Sequence, residues 1–161
     1  MESLSETEKI VCDKTGFIIS NIKLDLESKD YFGSTYKINN KNVISRKSKI
    51  TPKKLGQFVT FWKRNKEGIT EPFTNTDVFD YLVINVENNG RIGQFIFPKN
   101  ILEAKGVIST SQKGGKRGFR VYPSWTKPTS KQAVKTQDWQ LNYFIEINNS
   151  TDSVILKNYY M

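Results

Sequence analysis

The sequence predicts an α+β fold: one domain over residues 1–161, with a mixed or mostly antiparallel sheet and helices packed on it. Two observations carry this expectation. Apolar runs that read as central strands, FDYLVINVE (Phe79–Glu87) and RIGQFIF (Arg91–Phe97), bracket Asn88, Asn89 and Gly90, the clearest hairpin signal in the chain. Elsewhere, capping residues precede stretches with three-to-four-residue apolar spacing, so helices interleave with strands, and no internal repeat is present. Ten Phe, seven Tyr and three Trp supply bulky side chains for a core of ordinary size, without disulfide or metal staples.

Taken in order, Ser5 to Thr15 reads as a short helix with Ile10 and Val11 inward, Cys12 in or near that packing and Gly16 as its C-cap. Phe17 to Leu26 alternates through Ile18, Ser20, Ile22, Leu24 and Leu26 and reads as a strand, followed by a turn over 27–34. Thr35–Ile38 and Val43–Ile50 flank Asn39 and Asn40, which tolerate left-handed turn conformations, and form a hairpin. Thr51 then caps, and Pro52 opens, a helix running to Asn65, with Leu55, Phe58, Val59 and Trp62 along one stripe. On this reading Phe58, Trp62 and Phe119 belong to the core. Gly68–Asp77 is a loop. After the central hairpin, Pro98 opens a helix over Ile101, Leu102 and Ala104 that Gly106 ends. A polar loop over Ser109–Gly115 leads to a strand at Phe119–Tyr122. Ser130 then caps a helix reaching about Ile145 along Val134, Gln137, Leu141 and Phe144, and Ser153–Tyr159 is the last expected strand.

Several function classes fall away on composition. The sequence contains no histidine, which removes imidazole-based triads, the helical metalloprotease motif and histidine zinc sites. Gly114, Gly115 and Gly118 stand in GGKRG, which matches neither the nucleotide-triphosphate loop nor the dinucleotide fingerprint. A single cysteine fits a reducing compartment, no run approaches the roughly 20 apolar residues of a membrane span, and the acidic start is unlike a signal peptide. The expectation is a cytoplasmic protein with no membrane partner.

The formal charge of +9 is distributed in blocks. Residues 41–66 carry nine Lys or Arg and no acid, 67–87 carry five acids and no base, and 91–136 carry ten bases and one acid. Two basic blocks around an acidic one point to an anionic partner.

The segments KITPKKLGQFVTFWKRN (Lys49–Asn65), FDYLVINVE (Phe79–Glu87), GQFIFPK (Gly93–Lys99), GKRGFRVYPSW (Gly115–Trp125) and KQAVKTQDWQLNYF (Lys131–Phe144) closely resemble the MepB family of small bacterial proteins. The resemblance runs in unbroken order from about Glu27 to Ile145. One member of that family is encoded beside a multidrug efflux pump and its regulator, and the resemblance implies relatives rather than a reaction.

The residues themselves favour nucleic-acid binding, single strands above duplex, without catalysis and without a cofactor. Cations interleave with aromatics in two groups: Arg46, Lys47, Lys49, Lys53, Lys54, Lys63 and Arg64, and then Lys113, Lys116, Arg117, Arg120 and Lys131. Tyr122, Trp125 and Trp139 are the candidates for stacking on unpaired bases. The alternative is a restriction-endonuclease-like nuclease using Mg²⁺, or a degenerate relative. Asp80 opens the first strand of the hairpin as such a site requires, but Gln94 stands where a second acid belongs, Ile96 where the lysine belongs, and Lys99 follows only at the strand end. Glu87, on the opposite face of the strand from Asp80, and Glu71 and Asp77 are the remaining carboxylates there. A third reading is a module for an acidic protein partner.

Overall fold

The computed structural model describes residues 4–161. Helix α1 (Glu6–Thr15) forms where expected. Ser5 and Glu8 make a reciprocal capping box, and Gly16 ends the helix in the left-handed region at φ 74°. Strand β1 (Ile19–Leu24) is shorter than its apolar pattern and opposite in phase: Ile19 is buried, whereas Ile18, Leu24 and Leu26 are 82%, 57% and 78% exposed. A register shift between Ser20 and Lys23, with Asn21 at φ 55°, breaks the alternation. A 3-10 turn over Leu26–Tyr31 leads to the hairpin of β2 (Ser34–Ile38) and β3 (Lys41–Lys47), closed by Asn39 and Asn40 at φ 49° and 60° as their sequence predicts.

The helix expected over 52–65 does not form. The chain runs instead through β4 (Lys49–Ile50), a turn, β5 (Gln57–Thr60), and the two-residue strands β6 (Lys63–Arg64) and β7 (Thr70–Glu71). Gly56 sits at φ +80°, incompatible with a helix, and a Cβ there would lie 2.7 Å from the Tyr122 ring. Beyond it, β-branched and aromatic residues follow a two-residue period: Gln57, Val59 and Phe61 are buried, while Phe58 and Trp62 are only half-buried and Leu55 is 51% exposed. The stripe of four residues read from helical spacing therefore holds one core residue, Val59. Phe119, expected in the core, is there at 8% exposure.

Strands β8 (Tyr81–Asn88) and β9 (Arg91–Pro98) turn through Asn89 and Gly90. Helix α2 (Lys99–Ala104) follows Pro98 at once. Strand β10 (Gly118–Val121) and helix α3 (Lys131–Gln140, capped by Ser130) come next. Helix α3 stops short of Ile145: after a 3-10 turn at Leu141–Tyr143, β11 (Phe144–Ile147) pairs with β9, its Phe144 ring occupying the space a Cβ on Gly93 would need, 2.7 Å away. Ser153–Asn158 is helix α4 rather than a strand, because the Asp152 carboxylate accepts from the Val154 and Ile155 N–H groups at 2.7 and 3.2 Å and caps it.

The main sheet has the order β1-β2-β3-β8-β9-β11, antiparallel except for the β3–β8 pair. Its two faces serve two layers. Leu82, Ile84, Val86, Phe95 and Phe97 pack against Val59, Phe61, Phe119 and Val121 of a small sheet, order β10-β5-β4, and against Leu102 of α2. Tyr81, Val83 and Ile96 face Val11 of α1 and Leu156 of α4, with Tyr160 beside them. A buried carboxylate fastens that second layer: Glu8 accepts from Ser45 Oγ at 2.7 Å, from Ser5 Oγ at 2.8 Å and from the Tyr36 hydroxyl. Burial and that carboxylate push the Tyr36 phenol well above its ordinary pKa.

The strand reading of 57–61 has a direct test. Phe61 is fully buried and stacked on Phe73, so Phe61→Ala is expected to cost about 3–5 kcal/mol in chemical denaturation. Leu55→Ala, which a helix would have made the more damaging change, is expected to cost less than about 0.5 kcal/mol.

Candidate nucleic-acid interface

The small sheet and α3 form one wall each of a groove, and side-chain amides hold the walls together. Gln140, fully buried at the end of α3, accepts from the Tyr122 N–H and donates to the Arg120 carbonyl, both at 2.9 Å. Gln137, one turn earlier, donates to the carbonyls of Tyr122, Pro123 and Thr126 at 3.3, 3.0 and 2.7 Å. Arg120 reaches the other way: its guanidinium donates to the Leu55 carbonyl at 3.2 Å and to Thr51 Oγ1 at 2.6 Å, bracing the turn that carries Lys53 and Lys54.

 Two adjoining hollows result, of about 330 Å³ beside Trp139 and about 290 Å³ beside Lys53 and Lys54. The two hollows of the groove share Arg120, Tyr122, Ser130 and Ala133 and so are continuous. Lys53, Lys54, Lys105, Lys116 and Arg120 line them, and among the described residues no carboxylate does. The positive end of the α3 dipole, at Ser130, opens on the same space. Lys105 lies over the Trp139 ring at 5.7 Å. Arg120 lies over Phe58 at 5.9 Å, and Lys49, Phe58 and Arg120 form a row across β4, β5 and β10.

The groove thus joins Lys53 and Lys54 of the first predicted cation group to Lys116 and Arg120 of the second, with Tyr122 between them. Other predicted residues lie elsewhere. Arg46 is a correction: it is 1% exposed, its guanidinium donating to the Ser45 carbonyl at 2.9 Å and to Asp25 at 3.2 Å, because its position on β3 faces the interior. Lys47 pairs with Glu87 at 3.3 Å. Lys63 pairs with Asp77 at 2.7 Å and Glu71 at 3.6 Å, and Arg64 with Glu27 at 2.6 Å. Arg117 ties the β6–β7 hairpin through the Thr70 carbonyl at 2.9 Å. Lys49 sits over Tyr31 at 4.7 Å, Lys113 is exposed in the loop before β10, and Lys131 is exposed on the first turn of α3. Trp125 is turned away from the groove, edge-on to Phe144 and under Arg91. Lys105 and Gln140 went unread in the sequence, and Gln137 was read only as part of the packing stripe of its helix; the Gln137–Gln140 spacing, one helical turn apart on α3, was the available signal.

The residues of the nuclease alternative do not form one cluster: the Lys99 N–H donates to the Asp80 carbonyl at 3.0 Å, but Glu87 and Gln94 lie apart from that pair. Asp80 Oδ2 accepts from the Asn42 N–H at 2.8 Å, Glu87 pairs with Lys47, and the two stand about 23 Å apart along one strand at roughly 3.3 Å per residue. Gln94 is fully buried on the α1 side of the sheet, donating to Asn85 at 2.8 Å. Lys99 donates to the Asp77 carbonyl. Among the described residues no three Asp, Glu or Cys side chains are grouped to hold a metal ion. Among the described residues no helix is long and apolar enough to cross a membrane.

Sheet order, helices and groove define an α+β protein with a basic cleft built on a small accessory sheet. A family model described as MepB-like matches residues 25–146, and the chain belongs to that family. The crystal structure of MepB is similar over 91% of this chain and 100% of that one, at 30% identity and a TM-score of 0.81. A bacterial homing endonuclease is similar over 86% of each chain at 14% identity and a TM-score of 0.49. Comparison with curated proteins finds no match.

The Asp77 pair gives a pH prediction. Burial alone would raise this carboxyl, but the Lys63 ammonium and the Thr74 N–H hold it below its ordinary 3.8. A depressed folded value means the stabilisation is full above 3.8 and is lost as pH falls through the lower folded value. Thermal melts between about pH 5 and pH 2 should therefore show a fall in stability that Asp77→Asn flattens.

Proposed function

We propose that this protein binds nucleic acid, single strands in preference to duplex, through the groove between β10 and α3, and does so without catalysis. The observation that carries the reading is the convergence there of five cations, drawn from separate parts of the chain, with no carboxylate beside them among the described residues. Such a surface attracts phosphates and displaces their counterions on binding. Tyr122 and Trp139, both half-buried in the lining, offer rings to unpaired bases. A duplex keeps its bases stacked and paired, so only its backbone would engage. Glu87 and the buried Gln94 stand apart from Asp80 and Lys99, which supports binding rather than hydrolysis.

The test uses fluorescence anisotropy with a labelled single-stranded oligonucleotide over a salt series. Affinity should fall with a slope of about 0.7 per phosphate contacted. Lys53→Ala combined with Lys54→Ala should weaken binding and reduce that slope while the melting temperature barely moves, since exposed substitutions change stability by less than about 0.5 kcal/mol. Lys63→Ala and Arg64→Ala, whose cations are already paired with acids, should leave the slope unchanged. Absence of binding at low salt, or retention of an acidic polypeptide in its place, would sink the proposal.

A further inference from the structure

We infer that the groove accepts one unpaired nucleobase, its hydrogen-bonding edge against the main chain of Gly118 and its ring beside Trp139; this rests on the nucleic-acid reading above. Strand β10 is the outer strand of the small sheet, so one of its edges has no strand partner. The Phe61 N–H donates to the Arg117 carbonyl at 2.8 Å, which sets the parity of the ladder. With Gly118 opposite Thr60 and Phe119 opposite Val59, the main-chain groups of Phe119 and Val121 serve β5, and those of Gly118 and Arg120 point the other way.

That outward edge is half occupied. The Gln140 carboxamide takes the place of a neighbouring strand at the Arg120 carbonyl and the Tyr122 N–H. The N–H and C=O of Gly118 have no such partner among the described residues, and Gly118 lines the larger hollow. A donor and an acceptor on one residue suit the adjacent donor and acceptor that every base presents on its pairing edge. Trp139 lines the same hollow and supplies a flat wall, and Lys105 and Lys116 at its rim suit the flanking phosphates. A base already paired in a duplex has spent that edge, which gives a physical ground for selecting single strands.

The experiment compares three strands of equal length and charge on the wild-type protein: oligothymidine, its abasic counterpart, and one bearing N3-methylthymidine, which keeps the ring and blocks the edge. The abasic strand should bind roughly tenfold or more weakly than oligothymidine, with an unchanged salt slope. The N3-methyl strand should also bind more weakly than oligothymidine. Thr136→Phe, which fills the hollow without changing charge, should bring oligothymidine down to the abasic level and leave abasic binding as it was. Equal binding of abasic and thymidine strands overturns base docking while leaving nucleic-acid binding intact, and equal binding of the N3-methyl strand overturns the edge contact. Failure of all three strands at low salt overturns the underlying functional reading instead.

Discussion

The carboxamide of Gln140 is the joint on which the groove depends. It is fully buried and satisfies an acceptor on β10 and the donor of the residue just after it, doing for an exposed strand edge what a further strand would have done. Leaving those two main-chain groups unpaired in a buried setting costs about 1–3 kcal/mol each, so helix and strand are held in one relative position. From that joint the restraint passes along the chain. Arg120, on the same strand, fixes the turn that presents Lys53 and Lys54. Lys53 and Lys54 on one side, and Lys105, Lys116 and Arg120 on the other, therefore place their charges along one groove, and among the described residues none of these charges pairs with an acid.

The other face of the main sheet carries a different kind of polar restraint. Glu8 reaches from α1 to Ser45 and Tyr36, and the Tyr160 hydroxyl donates to Gln94, which donates to Asn85. Buried polar groups of this kind are costly unless satisfied, and here each has a partner. They lie across the sheet from the basic groove. One face is thus committed to fastening helices, and the other, through the accessory sheet, to forming a surface.

Much of this was legible in the residues. Turns written by Asn39–Asn40 and Asn89–Gly90 require left-handed backbone, which few other residues adopt cheaply, and both hairpins form there. Caps at Ser5 and Ser130 were equally readable because the signal is local. The stretch 52–65 was misread because Leu55, Phe58, Val59 and Trp62 satisfy helical spacing by accident; Gly56 and the β-branched, aromatic run after it carry the opposing signal. Arg46 was misread because charge suggests a surface, and only the pairing of β3 between β2 and β8 reveals that it points inward toward Asp25. Of the site, the cation blocks were visible, but which members stay free of acids depends on contacts such as Lys63–Asp77 and Arg64–Glu27 that join distant segments.

The packing of α4 beside α1 sets an order of events during synthesis. Val11 and Leu156 belong to the same core, as do Ile19 and Tyr160. A ribosome delivers the first of each pair long before the second. Until residues 153–160 emerge, the layer around Val83 and Ile96 stays uncovered on that side, whereas the hairpin of β8 and β9 and the accessory sheet already have their partners. The nascent chain therefore holds an apolar sheet face open for the length of that interval, which is when a chaperone would find the most to bind.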